Sequence, residues 1–367
     1  MSQYTSVIEE DLLLIIKKLT SKLNKLRGQT ILITGSSGFL CSYLVDTLAK
    51  WNESNEKKKK CRLICLDNNI TGQSERLKHL SNRKDVEFIN QDVSKSFRIR
   101  KKVDFIIHGA SIASPTTYRL FPLETIDANV NGTRNILELS KKMNVKKVLV
   151  MSTSEIYGDP NSKNIPTKET YNGNVSYAGP RSCYDESKRL AETLCYIYKN
   201  KFGIPVNTIR PFNVFGPGQR LDDKRIIPDL MSAVINNKPI ILYSDGRATR
   251  SFCYISDAII AILLILLNKN SNQQGFNVGN DEIEISMKNL ANLMLKVGTK
   301  VMLSSKSKVI FKKSVDKHYN SDNPQRRVPD LSITKSTLDW EPKVKLEDAL
   351  KRTLISNIEF KKRSKPC

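Results

Sequence analysis

Between Gln29 and Lys50 the chain reads as strand, glycine turn and helix, and few folds accommodate that order. The apolar run Ile31-Leu32-Ile33 leads into Gly35-Ser-Ser-Gly38-Phe39-Leu40-Cys41, and an amphipathic pattern follows. A strand that enters a helix through such a turn aims backbone N–H groups at one point, which suits a pyrophosphate. Gly35, Gly38, Phe39 and Leu40 are therefore candidate cofactor contacts. Cys41 stands at the third position of Gly-x-x-Gly-x-x-Gly. A Cβ there crowds the helix against the strand but leaves the backbone donors in place.

Strands and helices continue to alternate. Arg62–Leu66, Val86–Ile89, Val103–His108, Val148–Met151 and Val206–Ile209 read as strands. Pro122–Met143 and Tyr184–Phe202 read as helices. The pattern implies an α/β fold, a doubly wound parallel Rossmann sheet with right-handed crossovers. Residues 28–209 form the expected NAD-binding domain. Asp67 ends the second strand ahead of Asn68, where a carboxylate suits the adenosine ribose hydroxyls and favours NAD over its phosphorylated form. The alternative for Asp67 is a plain turn residue. Asp92 and Val93 follow the third strand as candidate adenine contacts. Ala110 lies in the small-residue loop Gly109–Ser114, which can pass close to the cofactor; His108 reads as a packed strand end.

Residues 1–27 form an amphipathic helix, with Leu12, Ile15, Ile16, Leu19, Leu23 and Leu26 at helical spacing, expected to pack on the fold or on a partner subunit. From Arg210 prolines punctuate short elements. Residues 210–367 read as a smaller C-terminal substrate domain, some of whose segments return to the Rossmann sheet. Arg225, Arg250, Arg326 and Arg327 fall there, and each by itself reads as a surface charge. Arg250 differs, because Thr249-Arg-Ser-Phe-Cys-Tyr254 sets it among apolar neighbours.

The formal net charge is +23, yet the lysines are scattered and the densest run, Lys57–Lys60, lies in an apparent loop. A solvated basic surface is expected, with no nucleic-acid partner. Ile259–Leu267, the longest apolar run, is too short to span a bilayer, so no membrane partner is expected either. Glu9, Glu10 and Asp11 precede the first apolar run and speak against a signal peptide. The 7 cysteines lack a Cys-x-x-Cys pair and stand with only 3 histidines. Neither a disulfide framework nor a metal site is expected, and the cytoplasm fits best.

The chemistry concentrates in two stretches. Ser152-Thr153-Ser154-Glu155-Ile156-Tyr157-Gly158 follows an apolar strand, and Tyr184-x-x-x-Lys188 lies on the helix downstream. Tyr and Lys at that spacing share a helix face, and parallel sheets place chemistry at the carboxyl ends of strands. A hydroxyl at a strand end facing a Tyr/Lys pair is what hydride transfer at a carbinol requires. The phenol, with an ordinary pKa near 10, needs a shift of about 3 units to ionise at neutral pH, roughly 4 kcal/mol. A buried cation with an oxidised nicotinamide can supply it. Separately, the two stretches also read as a helix face and a helix cap.

These residues match a known group. Ser152–Pro160, Gly179–Arg189, Arg210–Pro217, Thr249–Tyr254, Asp322–Asp330 and His108–Pro115 resemble the extended short-chain dehydrogenase/reductase superfamily of nucleotide-sugar epimerases and dehydratases. Within it the chain is most similar to UDP-glucuronate decarboxylases, from about Gln29 to Leu354. The resemblance implies NAD as cofactor and Thr153, Tyr184 and Lys188 as the hydride-transfer triad, with Glu155 near carbon 5 of the sugar. It also implies that Ser154, Arg181, Asn213, Arg225, Arg250 and Arg327 meet the sugar nucleotide. An Asp stands at the Ser154 position in 4,6-dehydratases, and a small or hydroxyl residue at the Glu155 position in 4-epimerases. The expected reaction is decarboxylation of UDP-glucuronate to UDP-xylose. The alternatives are 4-epimerisation, 4,6-dehydration, or a non-catalytic NAD(H)-binding protein with a basic interaction surface. Pro122–Met143 and Tyr184–Phe202 match the superfamily's dimer-forming helices, so a homodimer is expected. Departures occur at Cys41, at Ser176-Tyr177-Ala178 before the Gly179-Pro-Arg turn, and at Ser187 in place of glycine.

Overall fold

Alternate residues of each central strand face opposite layers, and both layers are apolar. Ile31 and Ile33 join Leu44, Leu48 and Ile259 on one side, whereas Leu32 joins Ile136, Leu137 and Cys195 on the other. A strand buried on both faces has no polar alternation, which is why these runs read as continuous hydrophobic segments.

The computed structural model describes residues 4–54, 59–72, 74–268, 275–302, 307–314 and 324–363. Its strands are β1 Thr30–Thr34, β2 Arg62–Asp67, β3 Val86–Asn90, β4 Phe105–His108, β5 Lys147–Met151, β6 Val206–Pro211, β7 Val214–Phe215, β8 Ile240–Leu242, β9 Thr249–Ser251, β10 Cys253–Tyr254, β11 Gly275–Val278, β12 Glu284–Ser286, β13 Val309–Phe311 and β14 Arg326–Arg327. Its α-helices are α1 Ser6–Leu23, α2 Phe39–Glu53, α3 Pro115–Leu120, α4 Pro122–Met143, α5 Ser182–Phe202, α6 Ile226–Ile235, α7 Ile255–Leu267, α8 Met287–Met302, α9 Ser332–Leu338 and α10 Leu346–Arg363.

Among the described residues, 7 parallel strands form the central sheet in the order β11-β6-β5-β4-β1-β2-β3. The chain winds outward from β1 in one direction and from β4 in the other. The crevice between β1 and β4, at their carboxyl ends, is the switch point where such sheets bind ligands.

Beyond Arg210 two segments return to this sheet. β11 pairs with β6, and the apolar α7 packs against the layer that contains α2. The rest builds small sheets, of which β12-β9-β14 matters most, because its register sets Arg250 beside Arg327.

The N-terminal helix packs on its own chain. Leu12, Ile15, Leu19 and Leu23 are buried with α2 and α7. Asp11, on the same face, is buried because three donors meet it. Tyr43 OH at 2.9 Å, Tyr254 OH at 2.7 Å and the Arg352 guanidinium at 2.8 Å tie α1 to α2, β10 and α10. No described helix is long and apolar enough to cross a membrane.

Candidate active site

The glycine turn fits a dinucleotide. Gly35 has φ +67°, and a Cβ there would lie 2.6 Å from the Ala110 amide nitrogen, so only glycine is accommodated. Gly38 caps α2 without a side-chain bond, and the first-turn amides of Phe39 and Leu40 lack intrahelical acceptors by geometry. The Ser36 hydroxyl is buried without a partner beside them. Gly35, Gly38, Asp67, Asn68, Asp92, Val93 and Ala110 line one cavity of about 260 Å³. Asp67 also braces the turn, accepting from the Ser37 and Asn69 amides at 2.8 Å each. The turn reading and the cofactor reading of Asp67 are thus compatible.

Cys41 is reconciled with this packing by a second glycine. It is buried against β4, and a Cβ on Gly109 would lie 2.3 Å from its Sγ. The space that a glycine leaves at position 41 of the usual pattern is here left at position 109.

At the end of β5 the backbone enters a short 3-10 turn, Ser154–Tyr157, which Thr153 caps by accepting from the Glu155 amide at 3.2 Å. Thr153, Ser154, Tyr184 and Lys188 are all buried. The Thr153 side chain acts on Tyr184 to lower its pKa, and Lys188 donates to the Met151 carbonyl at 2.8 Å. The Lys188 nitrogen stands 5.9 Å from the centre of the Tyr184 ring. The expected shift draws on a buried cation together with an oxidised nicotinamide, and the protein's own burial of the phenol acts in the other direction. Burial pushes Tyr184 up to about 12, against Thr153 and the Arg225 charge, which act downward. Burial also pushes Lys188 down to about 8.

Glu155 leaves the same turn toward the arginines. It pairs with Arg181, the N-cap of α5, and with both terminal nitrogens of Arg327, one at 2.7 Å. Burial would raise its pKa, but Arg181, Arg327 and Arg250 outweigh burial and hold it at about 2. Arg250 is buried, its guanidinium donating to the carbonyls of Thr249, Pro324 and Gln325. Asn213 donates to the Ser251 carbonyl at 2.9 Å, and Arg225 to the Ala113 carbonyl at 2.8 Å. The expected site residues therefore gather at one end of the sheet. Asp322 and Asn323, from the last matching stretch, lie outside the described residues.

Sequence reasoning missed three participants. Tyr118 of α3 stacks on Tyr184. Asn129 of α4 accepts from Ser111 at 2.7 Å and donates to Ser187 at 2.9 Å, giving the serine that replaces glycine a partner. Asp185, next to Tyr184, is buried beside Arg181. The Asn129-x-Asn-Gly-Thr133 run was a visible signal for the second and the four-residue spacing of Arg181 and Asp185 for the third, whereas the Tyr118 stack is a contact across elements.

The sequence profile of the NAD dependent epimerase/dehydratase family matches residues 31–279. The chain belongs to this family. Among epimerase/dehydratase relatives, UDP-glucuronic acid decarboxylase 1 of Arabidopsis thaliana is 39% identical over 88% of this chain and 68% of its own. UDP-glucuronic acid decarboxylase 1 of Xenopus tropicalis is 37% identical over 88% and 71%. Solved family structures share the fold. UDP-glucose 4-epimerase from Thermotoga maritima superposes with a TM-score of 0.76 at 23% identity, covering 92% of this chain and 100% of that one. UDP-glucuronic acid 4-epimerase from Bacillus cereus, in complex with UDP-glucuronic acid and NAD, gives 0.72 at 24%, covering 90% and 100%. As an epimerase/dehydratase the chain is an NAD-dependent enzyme.

Proposed function

We propose that the protein decarboxylates a nucleotide hexuronate, UDP-glucuronate before others, to the nucleotide pentose, UDP-xylose. The observation that carries this reading is Glu155. A carboxylate held among Arg181, Arg327 and Arg250 stands at the strand end that presents Thr153, and its turn adjoins Tyr184 and Lys188. The 39% and 37% identical decarboxylases support it.

Bound NAD would supply the acceptor for the carbon 4 hydride and the donor for the closing reduction. Tyr184, oriented by Thr153, takes the proton of the carbon 4 hydroxyl, and the Lys188 charge favours the phenolate. Ionisation of Tyr184 depends on charge that arrives with the ligands, since burial raises its pKa. A ketone at carbon 4 turns the hexuronate into a β-keto acid, and carbon dioxide leaves with its electrons flowing into that ketone. The arginines hold the anionic groups, Glu155 serves the carbon 5 chemistry, and Ser154 lines the sugar site. Gly35, Gly38, Phe39, Leu40, Asp67, Asn68, Asp92, Val93 and Ala110 hold the dinucleotide; Asn213, Arg225, Arg250 and Arg327 hold the sugar nucleotide.

Support for a homodimer comes from Leu123, Ile126 and Val130 on α4 and Leu190 and Ile197 on α5. These residues are exposed or half-buried at helical spacing, and Leu123 is 72% exposed. The cysteines of the described residues are all free thiols, as suits a reducing cytoplasm.

The test is incubation of the purified enzyme with UDP-glucuronate and weighing of the product. Loss of carbon dioxide is expected. An unchanged mass with conversion to the 4-epimer, or loss of water from a neutral hexose, overturns the decarboxylase assignment.

A further inference from the structure

Arg181 is paired with two carboxylates, closely with Glu155 and loosely with Asp185. Its Nη2 lies in hydrogen-bond contact with Glu155, while its Nε faces Asp185 Oδ2 at 3.7 Å, an ion pair longer than a hydrogen bond. Arg181 Nε and Asp185 Oδ1 are both buried with no hydrogen-bond partner, and so is the hydroxyl of Tyr118 nearby. Buried polar groups left unsatisfied are costly, so these atoms are free to take a new partner within the site.

We propose that Arg181 exchanges carboxylate partners. It leaves Glu155 for Asp185 when an anionic sugar enters, and Glu155, released as the neutral acid, serves carbon 5. The inference rests on the hexuronate reading above.

The groups around the pair make the exchange balanced. Glu155, in the turn after β5, faces Arg181 at the N-cap of α5, Arg327 of β14 and Arg250 of β9. Asp185, on α5, faces Arg181, Arg327 and Glu155, with Tyr118 of α3 and Tyr184 beside it. At Glu155 the arginines win and the carboxylate is ionised. At Asp185 burial and the Glu155 charge win over Arg181 and Arg327, and the carboxyl is pushed up to about 7. A sugar carboxylate drawn to Arg327 takes away the two-pronged partner of Glu155 and adds a like charge, and both effects favour protonating Glu155. Arg181 then gains more from Asp185, its neighbour one turn along the helix, which loses its proton as the pair forms. One carboxyl takes up a proton, the other releases one, and the net charge is unchanged. Asp185 is thus a positioning residue, acting on the sugar through Arg181 and Glu155.

The direct test is a crystal structure of the Tyr184→Phe enzyme with NAD and UDP-glucuronate. Arg181 is expected within hydrogen-bond distance of Asp185 and off Glu155. The kinetic test is Asp185→Asn, which offers Arg181 no anion. Carbon dioxide release at saturation should fall at least ~10-fold with KM within about 3-fold, NADH formation from carbon 4 oxidation should persist in a single turnover, and Asp185→Glu should recover most of kcat. An Arg181 still on Glu155 in the complex, an Asp185→Asn enzyme of wild-type kcat, or one whose kcat and KM worsen together without rescue overturns the inference. Carbon dioxide release by the wild type would leave the decarboxylase reading standing in those cases. A protein that does not bind UDP-glucuronate overturns both.

Discussion

The Tyr118 ring lies on the Tyr184 ring with centroids 5.1 Å apart and planes 8° from parallel. Tyr118 comes from α3, directly after the loop that borders the cofactor cavity, so the stack fixes the phenol against an element with no other part in the triad. Tyr118→Ala should lower turnover ~10-fold or more by freeing the Tyr184 ring, at a stability cost of about 3–5 kcal/mol. Tyr118→Phe should retain the wild-type thermal midpoint. Equal melting of the alanine variant and the wild type would remove the stack from the account.

Tyr184→Phe preserves this packing and deletes the proton acceptor. Turnover should drop at least ~100-fold, while NAD stays with the protein on gel filtration. Near-normal activity would exclude Tyr184 as the base.

Glu155→Gln keeps the shape of the side chain and removes its charge. Labelled carbon dioxide from UDP-glucuronate should fall sharply with NAD content unchanged. Arg327 is left without its carboxylate and Arg181 keeps only Asp185, and breaking such pairs costs about 3–5 kcal/mol. The acid limb gives a second check. Because the folded Glu155 sits at about 2, below its ordinary 4.5, its contribution to stability is fully present above 4.5. It is lost as pH falls through 2. The melting difference between wild type and Glu155→Gln should therefore shrink over that interval and stay constant near neutrality.

Asp185 has the opposite sign. Its folded carboxyl is raised from 3.8 to about 7, so ionising it in the folded state costs stability. The cost grows as pH rises above 3.8 and is complete above 7. Asp185→Asn should melt higher than wild type at pH 8 and no higher at pH 4. A variant that melts lower at pH 8 would show Asp185 to be stabilising as an anion.

The Cys41–Gly109 contact predicts a compensating pair. Gly109→Ala should destabilise by about 1–3 kcal/mol through overpacking on the Cys41 sulfur. Adding Cys41→Gly should recover much of that loss. Strict additivity in a thermal double-mutant cycle would mean that the two sites do not meet.

For assembly, the wild type should sediment as a dimer at micromolar concentration. Leu123→Asp with Leu190→Asp should sediment as a monomer. A monomeric wild type refutes the homodimer.

Local signals decided much of this protein. Gly35 and Gly38 between an apolar strand and an amphipathic helix, and the unbroken apolar runs of β1 and β5, report backbone conformation and burial, which depend on neighbours along the chain. The same holds for Tyr184 and Lys188, whose spacing alone sets them on one face of α5. Only the tertiary structure decided how charges share a site. Glu155, Arg181 and Arg327 are separated widely in sequence, and whether that carboxyl is an acid or an anion depends on desolvation and on distances between side chains of different elements. Sequence left both states open, and the folded arrangement holds it as an anion at about 2. Asp11 shows the same limit, since its sequence neighbours mark it only as one of three acidic residues ahead of an apolar run. Tyr43, Tyr254 and Arg352 converge on it only once α2, β10 and α10 have packed around α1. Periodicity carries the backbone; pKa and partnership are properties of the assembled interior.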